Sequence, residues 1–224
     1  MQVFVAGTGK LGSELLKSLS STQGQTISPW QGEPASSERS IVVHAGSGRE
    51  LQTISNFCAR TSSVLIELST GSAIESLDVC FPIVLCPNTN ILMLKFMHML
   101  ESSGSLFSGY DLQLTESHQA SKKSVPGTAV AIANALRIPI DEIASVRDPA
   151  IQKGELKIRE EHLARHAFHR IRINDSSCQI EMESRVVGDS PYASGVQQII
   201  AAVTERKLLN RAYSITEFIE KRWL

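Results

Sequence analysis

The sequence has no excess of charge of either sign: 22 Lys and Arg stand against 23 Asp and Glu along 224 residues, for a formal net charge of −1. Without a basic field, it is not expected to hold nucleic acid or an anionic membrane surface. No apolar run approaches the roughly 20 residues that cross a bilayer. The first residues read as a strand, not as a charged segment followed by a cleavable apolar stretch, so the expectation is a cytoplasmic protein with no membrane partner. Cysteine is scarce. Cys58, Cys80, Cys86 and Cys178 form no C-x-x-C pair, and three lie in apolar runs where a free thiol behaves as a small hydrophobe, so they are expected as reduced core residues. The six histidines lack zinc-site spacing. His162, His166 and His169 crowd one segment, but its alternation reads as a strand entry and no second ligand cluster follows, so no metal is expected. Neither repeats nor low-complexity stretches occur.

What is present is an alternation of apolar runs and helical patterns, in a length sufficient for one sizeable core or two modest lobes. Gln2-Val-Phe-Val-Ala6 reads as a buried strand that leads into Gly7-Thr8-Gly9-Lys10-Leu11-Gly12 and then the helical spacing Leu11, Leu15, Leu16, Leu19. This is G-x-G-x-x-G between a strand and a helix. Its first glycine permits the turn, its second admits a pyrophosphate, and its third lets helix and strand pack closely. Further strands are expected at 25–28, 40–45, 64–68 and 82–86, with a helix over 48–60 carrying Leu51, Ile54 and Phe57 on one face. Apolar strands alternating with helices predict a Rossmann-type, doubly wound parallel sheet in an α/β protein.

The character changes at 90–101, an apolar helix with Ile91, Leu92, Met93, Leu94, Phe96, Met97, Met99 and Leu100 on nearly every side, expected to be buried between layers or lobes. Two long strands, 166–173 and 178–187, meet at a turn at Asn174-Asp175. A hairpin cannot extend a parallel sheet by a crossover, which predicts a second, mixed α/β domain. Ser190-Pro191 then opens a helix to Thr204, and 216–222 forms another. The expected division is a dinucleotide-binding domain of 1–89 plus 191–224 and a substrate-binding and oligomerisation domain of 90–190.

The most informative stretch is Glu116-Ser-His-Gln-Ala-Ser-Lys-Lys-Ser-Val-Pro-Gly-Thr128. It follows a strand over 110–116 and sets His118 and Lys122 four residues apart, ahead of a helix opening at Gly127 and Thr128. Free amides and the positive end of the helix dipole favour a carboxylate there, so the layout suits binding and protonating a small dicarboxylate.

Taken in order, these motifs resemble the 4-hydroxy-tetrahydrodipicolinate reductase (dihydrodipicolinate reductase) family, over nearly the whole length. The resemblance rests on Gly7 to Gly12; on Ser69-Thr70-Gly71, similar to G-T-T-G; on Cys86-Pro-Asn88-Thr-Asn90, similar to A-P-N-F-S; on Glu116 to Thr128, similar to E-x-H-H-x-x-K-x-D-A-P-S-G-T; and on Tyr192-Ala-Ser-Gly-Val196, similar to F-A-x-G-A. It implies NADPH- or NADH-dependent reduction of 4-hydroxy-tetrahydrodipicolinate in lysine and diaminopimelate biosynthesis. It further implies His118 and Lys122 as proton donors, Gly127 and Thr128 as carboxylate holders, Gln119 at the substrate, Ser69, Thr70, Gly71 and Asn88 at the cofactor, and a homotetramer with a dimer as the alternative. Gln119 stands where the family has a second histidine, Ser124 replaces its aspartate, and the serine between proline and glycine is missing. Gln cannot bring positive charge, which leaves a reductase of another small carboxylated substrate, or a non-catalytic NAD(P)-binding homologue, as alternatives. Lys123 is the alternative lysine. The segment 28–32 lacks the acid that binds a ribose 2′-hydroxyl, favouring NADPH, with Lys10 or Arg39 to meet its phosphate. Trp30 either stacks on adenine or caps the sheet edge. His44, where the family usually carries an acidic residue, is expected as a hydrogen-bonded structural histidine.

Overall fold

The computed structural model describes residues 1–19, 24–35, 37–76, 79–188 and 192–224. In chain order they form β1 (Gln2–Ala6), α1 (Lys10–Ser18), β2 (Thr26–Pro29), β3 (Ile41–His44), α2 (Leu51–Thr61), β4 (Val64–Glu67), β5 (Ile83–Leu85) and α3 (Ile91–Ser103). Then follow β6 (Asp111–His118), α4 (Gly127–Leu136), β7 (Ala144–Val146), α5 (Pro149–Gly154), β8 (His166–Asn174), β9 (Gln179–Val187), α6 (Ala193–Thr204), β10 (Ala212–Ser214) and α7 (Ile215–Glu220). The chain divides into two compact units, Met1–Ile91 with Tyr192–Leu224, and Leu92–Pro191. The helix start expected at Ser190-Pro191 lies outside the described residues.

The first unit holds a six-stranded sheet in the order β10-β5-β4-β3-β1-β2, with every neighbouring pair parallel. Each residue of β3 and β4 is buried, as continuous apolar strands require when both faces of a parallel sheet are covered. Beside β1 the order reverses, with β2 on one side and β3 on the other. At such a switch point a crevice opens beyond the carboxyl ends of the strands. Ile54, Phe57 and Cys58 of α2 pack with Val42, Leu65 and Ile83. Trp30 meets Phe4 and Phe57 edge-on at 5.7 and 5.4 Å, so its indole packs against the cluster between β1 and α2. The motif at Tyr192 to Val196 has a packing cause: a Cβ at Gly195 would lie 1.6 Å from the Thr89 carbonyl oxygen, a contact that only glycine permits.

The second unit is a mixed sheet, β7-β6-β8-β9, in which β6 runs parallel to β7 and antiparallel to β8, and β8 and β9 form the hairpin. Its core joins Met93 and Leu100 of α3, Leu114 of β6, Ile132 and Leu136 of α4, and Ile171 and Ile173 of β8. The all-round apolar α3 is not wholly buried: Leu92 is 79% exposed and Met99 47%. Two cysteines depart from expectation as well. Cys58 and Cys86 are buried free thiols pushed up to about 12 by burial, whereas Cys80 and Cys178 are exposed. An apolar stretch indicates neighbours in sequence, and these two sit at turns outside the core.

Candidate active site

In the first unit the loop from β1 to α1 has the geometry its glycines predict. Gly7 has φ +130°, and a Cβ there would meet the Ala45 carbonyl oxygen at 2.5 Å; a Cβ on Gly12 would meet the Gly7 carbonyl oxygen at 2.2 Å. At Gly9, by contrast, nothing lies within 4 Å of a Cβ. The open side of the loop is therefore at the middle glycine, which begins α1 with no side-chain cap for its first amides among the described residues.

Beyond β3 and β4 lies a cavity of about 380 Å³ lined by His44, Gly46, Ser69, Thr70, Gly71 and Ser72, among others. His44 and Glu67 are fully buried partners across the β3–β4 ladder, with Nδ1 at 2.8 and 2.9 Å from the two carboxylate oxygens. Glu67 also accepts the Ser69 amide, and the Ser69 hydroxyl donates to the Gly46 carbonyl. His44 is thus a hydrogen-bonded buried histidine, but only half satisfied. Its Nε2, together with Glu50 Oε2 and Ser72 Oγ, is a buried atom with no partner among the described residues. Unspent hydrogen-bonding capacity beside an open crevice is what a polar ligand satisfies. Asn88 accepts the Asn90 amide at 3.0 Å, in the turn just before α3. Lys10 is exposed.

In the second unit His118, at the end of β6, is held by Glu116 two residues earlier on the same strand face, Nδ1 to Oε2 at 2.9 Å. The Glu116 carboxylate is fully buried. Burial alone would raise it, but hydrogen bonds from His118, Arg147 and Ser145 outweigh that and hold it down to about 2. The carboxylate at Nδ1 sets the ring tautomer and leaves Nε2 as the face that exchanges a proton. His169, paired with Glu116 across β6 and β8, lies edge-on to His118 at 5.9 Å; burial, then the nearby His118, push it down to about 4. His166 donates to or accepts from the Ser117 hydroxyl at 3.0 Å.

The loop then turns, with the Lys122 amide donating to the Gln119 carbonyl at 2.9 Å. Lys122 and Gln119 are half-buried and Lys123 is exposed. Pro126 caps α4 with no side-chain bond, and nothing lies within 4 Å of a Cβ built at Gly127, so the helix start is open at that residue and its first amides have no side-chain cap among the described residues. His118, Lys122 and the α4 start therefore belong to one unit and one loop. Sequence reasoning overlooked three supports: Arg147, whose Nε donates to the Lys122 carbonyl at 2.9 Å; Ser145, at 2.6 Å from Glu116; and Gln152, whose amide donates to the His118 carbonyl at 2.8 Å and the Ser117 hydroxyl at 3.0 Å. The Arg147-Asp148-Pro149 run was the available signal, since Asp before Pro marks a helix start, and Asp148 does cap α5. No group of three His, Cys, Asp or Glu side chains arranged to hold a metal occurs among the described residues.

This architecture is that of a Rossmann-type α/β protein with a second mixed α/β unit. A family model described as "Dihydrodipicolinate reductase, C-terminus" matches residues 92–219, more than half of the chain, and the chain belongs to that family. It is 38% identical over 104 residues to a probable 4-hydroxy-tetrahydrodipicolinate reductase 1, chloroplastic, of Oryza sativa subsp. japonica, covering 43% of this chain and 30% of that protein. It is 33% identical over 129 residues to 4-hydroxy-tetrahydrodipicolinate reductase 1, chloroplastic, of Arabidopsis thaliana, covering 54% and 37%. The matched regions thus span about a third of those relatives. A dipicolinate-bound dihydrodipicolinate reductase from Paenisporosarcina sp. TG-14 shares the fold, with a TM-score of 0.66 at 16% identity over 95% of this chain and 97% of that one.

Proposed function

We propose that the chain reduces 4-hydroxy-tetrahydrodipicolinate to tetrahydrodipicolinate with NADPH or NADH, in lysine and diaminopimelate biosynthesis. The observation that carries this reading is the single loop in which His118, Lys122 and the open start of α4 stand together, with His118 seated on a buried carboxylate. The relatives' names support the same substrate.

The nicotinamide, when bound, supplies hydride. The residues fit such a group: Gly7 to Gly12 at the start of α1 would hold a pyrophosphate, and Ser69, Thr70 and Gly71, with a His44 Nε2 that has no partner among the described residues, line the cavity that would take the rest. β2 ends at Pro29 and is followed by Trp30 with no acid at that point, and Glu33 is engaged by Arg60 at 2.8 Å, which favours NADPH. In the second unit the amides of Gly127 and Thr128 hold one substrate carboxylate at the α4 dipole, and Gln119 donates to the other. Loss of the 4-hydroxyl as water leaves a conjugated cyclic imine; Lys122 places an ammonium beside it, and Lys122 or His118 Nε2 would deliver the proton that balances the hydride. The exposed apolar side chains Leu92, Met99 and Leu106 support assembly as a homotetramer or dimer.

The test is NADPH oxidation by the purified chain with freshly made 4-hydroxy-tetrahydrodipicolinate; no absorbance change with either cofactor refutes the reading. Gln119 in place of a cationic residue favours a second reading, a reductase of another small carboxylated substrate. Turnover confined to other cyclic imines or oxo acids would establish it.

A further inference from the structure

Resting on the reductase reading of this same loop, we infer that Arg147 is a positioning residue that holds both candidate proton donors in register. Its guanidinium makes three kinds of contact. Nη2 donates to Glu116 Oε1, Nε to the Lys122 carbonyl oxygen at 2.9 Å, and Nη1 to the Val146 carbonyl oxygen at 3.0 Å. The other oxygen of the same Glu116 carboxylate binds His118 Nδ1. One side chain therefore reaches the His118 ring through a buried carboxylate and the Lys122 backbone directly.

The geometry suits arginine and no other cation. A planar fork with five donors can satisfy a carboxylate on one edge and a carbonyl on another, whereas a lysine ammonium is a single point. Arg147 is itself fixed from both sides. It ends the short parallel ladder in which Glu116 pairs with Ser145 and Ser117 with Val146, and it precedes Asp148, which caps α5 by accepting the Ala150 amide at 2.7 Å. From α5, Gln152 returns to the His118 carbonyl and the Ser117 hydroxyl, so the β7–α5 corner grips the end of β6 at two places. The Glu116 and Arg147 side chains are 0 and 21% exposed, so little water competes for these bonds.

Arg147→Lys and Arg147→Gln in the full chain test the assignment. The readouts are hydrogen exchange at the Lys122 amide, the His118 ring ¹⁵N resonances across pH, NADPH affinity and steady-state kinetics. In Arg147→Gln, Lys122 exchange accelerates by at least roughly tenfold and the His118 signals move, because both tethers are lost. In Arg147→Lys, the ammonium retains Glu116 and the His118 signals stay, while the Lys122 amide still exchanges faster. Both variants lower kcat, Arg147→Gln by roughly a hundredfold, with NADPH affinity unchanged. Should Arg147→Gln fail to fold, the Arg147→Lys pattern alone decides. Wild-type exchange at Lys122 in Arg147→Lys, or loss of kcat only in step with NADPH affinity, would overturn the inference. A wild-type chain that turns over no substrate refutes the reductase reading and leaves the exchange and resonance tests intact.

Discussion

Acid should loosen the second unit through His169, and the size of the effect follows from where that ring sits. His169 is 2% exposed, its Nδ1 is at 3.1 Å from the Ser184 hydroxyl, and its Nε2 has no partner among the described residues. Burial and the neighbouring His118 push its pKa down from 6.5 to about 4, against the opposing pull of Glu116. An unfolded His169 takes up its proton near pH 6.5 and the folded one only near pH 4. Between those values the unfolded state holds the extra proton, so folded stability falls as pH falls and is unaffected above the window. The full depression corresponds to about 3 kcal/mol, reached by pH 4. Burial pushes His166 in the same direction. Glu116 titrates in a separate window, contributing stability above its ordinary 4.5 that is lost as pH falls toward about 2. Trp30 and Trp223 both belong to the first unit, so fluorescence is the wrong probe; the opening free energies of β8 amides, corrected for intrinsic exchange, report the right strand. His169→Gln should remove about 3 kcal/mol of pH dependence between pH 7 and 4 relative to the parent. Parallel curves for parent and variant would show that the buried ring is not the proton acceptor and refute the reasoning.

Gly9→Val should weaken NADPH binding by at least about tenfold, or ~1.4 kcal/mol, while stability changes by less than about 0.5 kcal/mol, because a Cβ at Gly9 meets only open space; fluorescence titration and urea melts check both. Gly12→Val should instead fail in the melt, since its Cβ collides with the Gly7 carbonyl. Lys122→Ala should lower kcat by roughly two to four powers of ten with cofactor affinity retained, and His118→Ala by a similar or smaller factor. If Lys123→Ala loses turnover while Lys122→Ala keeps it, the exposed lysine is the donor. Thr128→Val should raise KM by roughly tenfold with kcat little changed, as expected where a hydroxyl holds a carboxylate at the start of α4.

The parts of the fold legible in the sequence are those where a period is long enough to count. β1, the glycine loop and α1 switch from a buried run through a turn to 3.6 spacing within 18 residues, and β8 with β9 alternates for nine residues each side of a turn. β7 and β10 have three residues apiece, too few for any period, and their existence is decided by the strand each one pairs with. The same limit governs the site. His118 and Lys122 are close in sequence, so their spacing shows; Ser145 and Arg147 come from about 30 residues further on and reach Glu116 only because β7 pairs with β6 in a particular register. His169 is set opposite Glu116 by the register of the β6–β8 ladder.

His44 shows why local reading also misleads about what a residue has left to give. From the chain it is a histidine at a strand end, and the expectation of a hydrogen-bonded structural group is met by Glu67. What the sequence cannot display is that the bond uses only Nδ1. With Nδ1 committed to a carboxylate, Nε2 has no partner among the described residues and lies 2.9 Å from where a Cβ on Gly46 would stand. A side chain at 46 would fill that space and silence the ring; glycine keeps it open.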